Sequence, residues 1–126
     1  MNFKIDTKEK FQELYLLDEH VSANMTGELL QLLSELQNSE PFNIILSMKP
    51  VTELAPEAAS TLAECQGKYY EAGHSFVICE LNAAVEKQLE DAELLESMNI
   101  TPTMSEAWDI VQMEEIERDL LDGFDE

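Results

Sequence analysis

"FNIILSMKPVTELAPEAASTL" (residues 42–62) decides the fold. Its first half, Phe42 to Met48, is apolar at almost every position and so lacks the alternation of a half-exposed strand. A run of this length suits a central strand covered on both faces. Its second half changes period. Pro56 suits the first turn of a helix, where its missing N–H costs nothing, and Glu57 lies beside the positive helix end. Leu62, either Cys65 or Gln66, and Tyr69 then recur as a buried stripe, and Gly73 supplies the stop.

The same grammar extends outward in both directions. "SFVICEL" (residues 75–81) is a second two-faced apolar strand, followed by a helix capped at Asn82 with Val85 and Leu89 inside. "NITPT" gives a short extended piece before a last helix that begins near Thr103 or Ser105. Upstream, "NFKID" and "KFQELYLLD" pair as a β-hairpin. Between Val21 and Asn38, Met25, Leu29, Leu32, Leu33 and Leu36 recur at helical spacing, with Ser22 or Asn24 available as N-cap. The order ββαβαβα(β)α predicts an α/β domain: one mixed sheet of four to five strands, right-handed crossovers and flanking helices.

Composition sets limits on function. The 126 residues fit one domain, and a 44% hydrophobic content supports a packed core. With 27 acidic and 7 basic residues the net charge is −20, which opposes direct binding to nucleic acid or to anionic membranes. Basic protein surfaces remain open as partners. No leader or membrane-spanning run is visible, so the expected setting is the cytoplasm.

Signals for chemistry are sparse. Cys65 and Cys79 stand without metal or redox spacing and read as small core residues. His20 and His74 read as surface loop residues, and neither joins a converging catalytic set. No glycine-rich phosphate loop, no zinc spacing and no regular calcium loop occurs. The expectation is therefore a protein without catalytic residues, metal or cofactor.

Two stretches resemble the signatures of the STAS domain, the fold of bacterial anti-sigma factor antagonists and of regulatory domains on sulfate transporters. "LDEHVSANMTGELLQLL" (residues 17–33) is similar to the family's entry into its first helix, with Val21 in the apolar place, Ser22 for the usual Asp, and "ELL" at 28–30 matching. Residues 42–62 resemble the second signature, an apolar strand leading through Asp-Ser-Ser-Gly into a helix. The likeness covers about residues 1–112, and residues 113–126 form an acidic amphipathic extension.

In the family's antagonists, a Ser or Thr at the start of this second helix is phosphorylated by the anti-sigma kinase, which controls binding. The resemblance puts the Asp-Ser-Ser-Gly positions at Ala55, Pro56, Glu57 and Ala58, and all four differ. Glu57 reads either as a fixed partial substitute for phosphate or as an ordinary first-turn acid. Thr52, just before the helix, is the nearest substitute hydroxyl, because Ser60 and Thr61 lie past the first turn.

The expected partner-binding surface joins Ser22, Asn24 and Thr26 to Thr52, Pro56, Glu57 and Ala58. The implied partner is an anti-sigma factor or related kinase-like ATPase. A structural subunit of a transporter or sensory complex is an alternative function, and so is an acidic decoy of a nucleic-acid-binding protein.

The last helix carries a further signal. At about 100° per residue, Met104, Ala107, Trp108 and Val111 share the face expected in the core. Met113, Ile116, Leu120 and Phe124 share a roughly opposite face. That second stripe meets a partner or a second copy as a homodimer, folds back onto the domain, or frays.

Overall fold

The structure, a computed structural model, describes the backbone of residues 1–124 and side chains through Leu121. Phe124, the last member of the second stripe, and the acidic residues 125–126 thus lie outside the described side chains. In chain order the elements are β1 (Phe3–Thr7), β2 (Phe11–Leu16), β3 (His20–Val21), α1 (Thr26–Gln37), β4 (Asn43–Ser47), β5 (Glu53–Leu54), α2 (Pro56–Glu71), β6 (Phe76–Cys79), α3 (Ala83–Asp91), β7 (Ile100–Thr101) and α4 (Met104–Phe124). A five-stranded sheet runs β1-β2-β4-β6-β7, with β1 antiparallel to β2 and every other pair parallel.

The sheet separates two apolar layers, and alternation along each strand feeds both. Ile44 and Leu46 of β4 and Phe76 and Ile78 of β6 point towards α1, α2 and α3, where they meet Leu29, Leu33, Leu62, Tyr69, Val85 and Leu89. Ile45, Val77 and Cys79 point the other way, onto Ala107 and Val111 of α4. The two-faced apolar runs are thus central strands because helices cover both sides of them. Each fully buried aliphatic side chain contributes about 1.5–3 kcal/mol.

Between the alternatives Cys65 and Gln66 in the α2 stripe, both are buried. Gln66 tolerates this because its amide is satisfied: Nε2 donates to the carbonyls of Phe76 and Asn99 at 3.0 Å each, and Oε1 accepts from Asn99 N–H at 3.1 Å. Gly73 ends α2 at φ +81°, the left-handed region that glycine enters freely.

Four expectations need correction. Ser22 is the N-cap residue of a 3-10 turn over Ala23–Met25 that leads into α1, but the N-cap position of α1 itself is Met25, and neither Ser22 nor Asn24 caps that helix through its side chain. Trp108 is not core but 38% exposed. Its ring meets Phe11 edge-on at 5.2 Å and its Nε1 donates to Glu13 at 2.8 Å. Phe11 and Glu13 beneath it are themselves buried, so the indole lies as a half-exposed cover over the β2 side of the layer under α4. Of the two histidines, His20 is exposed but lies in β3 rather than in a loop, and His74 is a loop residue yet partly buried, stacked on Phe42 with ring centroids 4.8 Å apart, where burial followed by Arg118 lowers its pKa. The described members of the stripe do not fold back onto the domain either. α4 continues without a break past residue 112, and Met113, Ile116 and Leu120 are each 59% exposed. No described helix is long and apolar enough to cross a membrane.

Candidate functional site at the start of the second helix

The chain leaves β4 at the carboxyl end of the sheet, turns through Lys49 and Pro50, and buries Val51 completely. From there it runs beside the segment that leaves β2. Glu19 carbonyl accepts from the backbone N–H of Thr52 at 2.7 Å and of Glu53 at 3.2 Å. β3 and β5 pair in parallel, His20 opposite Glu53 and Val21 opposite Leu54, and Ala55 N–H then donates to Val21 carbonyl at 2.8 Å. The two segments singled out in the sequence thus form one ledge. A small cleft of about 300 Å³ lies between them, lined by His20, Val21, Ser22, Ala23, Glu53 and Ala55.

α3 anchors the ledge from beneath. Leu54 N–H donates to Gln88 Oε1 at 3.0 Å, and Asn82 Nδ2 donates to Val51 carbonyl. Asn82 also caps α3, its Oδ1 accepting from Val85 N–H at 3.0 Å. One side chain therefore starts a helix and pins the loop that carries Thr52. Asn82→Ala removes both bonds and should lower stability by about 1–2 kcal/mol, measured as a shift in the urea midpoint. Asn82→Asp keeps the cap acceptor but loses the donor to Val51, so it should recover part of that loss.

At the helix start Ala55 is extended (φ −62°, ψ 145°) and Pro56 takes the first helical position, as proline at N1 should. No side chain caps α2. Pro56 and Glu57 are exposed, and Glu57 is the acid of the first turn. Ala58 departs from the expected contact surface. It is fully buried, in one stripe with Leu62, Cys65 and Tyr69, so its methyl faces the core. Thr52 is exposed, yet its hydroxyl is engaged, donating to Glu19 carbonyl at 3.2 Å. Ser22 and Asn24 are exposed, whereas Thr26 is half-buried with its hydroxyl turned inward.

A pairing absent from the sequence reading closes the ledge on its outer side. His20 Nδ1 lies 3.0 Å from Glu53 Oε2, both side chains well exposed. Two-residue strands carry no periodicity, so nothing in the sequence pointed to this contact. Glu19, Glu53 and Glu57 give the ledge an acidic rim with no buried, converging set of reactive groups. Such a surface can take a partner bearing positive charge around a small apolar cleft. Among the described residues no three His, Cys, Asp or Glu side chains gather as a metal site.

Comparison with known proteins fits this geometry. The STAS domain family model matches residues 8–107. The fold is similar to that of a candidate anti-sigma factor antagonist from Thermotoga maritima, at TM-score 0.75 and 18% identity over 87% of this chain and 94% of that one. It is also similar to a serine-to-glutamate variant of RsbS from Moorella thermoacetica, at TM-score 0.74 and 13% identity over 94% and 99%. A third similar structure is an anti-sigma factor antagonist from Mycobacterium paratuberculosis, at TM-score 0.74 and 14% identity over 88% and 93%. At these identities the likeness is one of fold. Comparison with the curated proteins returned no match.

Proposed function

The chain belongs to the STAS domain family, and on that premise we propose that it is a non-catalytic docking module acting on an anti-sigma factor or related kinase-like ATPase without the serine switch. The observation that carries this reading is the start of α2. From Glu53 to Ala59 no residue has a hydroxyl, and the exposed first-turn positions are Pro56 and Glu57. Proline has nothing to phosphorylate. Glu57 supplies one fixed negative charge where phosphate would bring nearly two. Binding through the ledge is therefore constitutive, or gated by something other than a modification at this spot.

Thr52 is the remaining hydroxyl in reach. Its Oγ1 already donates to Glu19 carbonyl, and the acidic residues Glu19 and Glu53 belong to the same exposed ledge. Phosphate placed there would lose that bond and add negative charge to a ledge that is already acidic. This supports an unmodified Thr52.

The test uses the full chain with an anti-sigma kinase from the same genome and ATP. The expected result is a stable complex on gel filtration and no gain of phosphate by intact mass. A phosphate on Thr52, with loss of the complex, would sink the reading and restore the family's switch at a displaced position. Absence of any complex would remove the anti-sigma partner.

A further inference from the structure

α4 carries a seam that the domain leaves uncovered. Turning at about 100° per residue, the helix sets Ala107 and Val111 on the sheet and brings Met113, Ile116 and Leu120 to the opposite side. Their spacing, three residues and then four, is that of successive a, d and a positions in a coiled coil. A lone helix face exposed to water gains nothing from this pattern; a second helix laid along it does.

The seam is held firmly. Tyr70 hydroxyl donates to Glu114 Oε1 at 2.7 Å, Lys10 Nζ lies 3.8 Å from Glu115 Oε1, and Arg118 Nη2 donates to Asn43 Oδ1 at 3.3 Å. All three contacts come from the underside of the helix at the height of the seam. The exposed stripe is thus presented by a docked helix rather than a fraying end. Asn43 begins β4, so the seam sits at the amino ends of the strands and on the sheet face opposite α2. The ledge at Thr52–Pro56 lies at the carboxyl ends. The two surfaces do not overlap.

Charge decides what the seam can accept. With Met113 at a, the flanking e and g places fall to Gln112, Glu117 and Asp119, the positions that select partners by charge. None is basic. The one cation of this half of the helix, Arg118, is turned to Asn43. A second copy would set acid against acid, in a chain of net charge −20. We propose that the α4 seam docks an amphipathic helix of another protein, apolar at its a and d positions and bearing Lys or Arg at e and g. The protein would then hold two partners at opposite ends, one on the ledge and one on the seam.

Three synthetic peptides of equal length test this by fluorescence anisotropy against the full chain. One has Ile and Leu at a and d with Lys at e and g, one has the same seam with Glu at e and g, and one shuffles the first to destroy the seam. The basic seam peptide should bind about tenfold or more tighter than its shuffled form, and Ile116→Asp should remove that advantage. The acidic peptide should not bind. Met113→Asp gives a second variant, and because both positions are exposed their melting temperatures should match the parent.

Equal binding of the shuffled peptide would reduce the surface to non-specific charge and overturn the proposal. So would indifference to Ile116→Asp. A dimer in sedimentation at physiological salt that Ile116→Asp dissociates would overturn it in favour of a second copy as the occupant.

Discussion

Tyr69→Ala is expected to remove about 3–5 kcal/mol of stability, because it opens a cavity where three elements meet. The ring is 1% exposed and packs edge-on to Phe76 with centroids 5.1 Å apart. Its hydroxyl donates to Leu33 carbonyl at 2.6 Å, tying α2 to α1 across the core. A domain of this size holds about 5–15 kcal/mol in total, so the substitution costs a large share and should shift the urea midpoint accordingly. Tyr69→Phe separates the two contributions. It keeps the packing and loses the hydroxyl bond, for about 1–2 kcal/mol. Equal losses in the two variants would mean that the bond, and not the ring, holds α1 against α2.

The second large effect is alkaline instability. Burial raises the Cys79 thiol from 9.0 to about 12, with Glu80 and Glu13 adding to the shift. Burial also raises the phenols of Tyr69 and Tyr70, the latter with help from Glu114, and raises Tyr15 from 10.0 to about 12 together with Glu13. For each group the folded chain keeps its proton after the unfolded chain has released it. Their stabilisation is therefore complete below the unfolded values and falls as pH climbs towards the folded ones. For Cys79 that window runs from pH 9.0 to about 12, with a slope of up to about 1.4 kcal/mol per pH unit. The melting temperature should fall steeply above pH 9. Cys79→Ala should start lower at neutral pH and decline less steeply over the same range. An unchanged slope in that variant would refute the assignment to the thiol.

The central architecture was legible because burial on both faces leaves a mark in composition. β4 and β6 could be read from unbroken apolar runs, α3 from Asn82 and its stripe, and the end of α2 from Gly73. The order of these elements then left few topologies. What escaped reading had no repeating unit to read. β3 and β5 are two residues each and exist because Glu19 and Val21 offer carbonyls to a passing strand.

Ala58 is a different kind of miss. Four residues before Leu62, it continues the α2 stripe backwards, but its match to a family glycine assigned it to the surface instead. Trp108 was assigned to the core by its helical face. That its ring would cover Phe11 and Glu13 while keeping one side in water is a tertiary fact with no signature along the chain.

The ledge owes its shape to bonds made before anything lands on it. Thr52 and Glu53 share one acceptor, Ala55 answers to Val21, and Gln88 holds Leu54 from below. A visitor does not have to freeze this backbone on arrival, so little ordering entropy is charged against the encounter. Differences in affinity among visitors should then lie in how long they stay, and selectivity in the few side chains that reach over the rim.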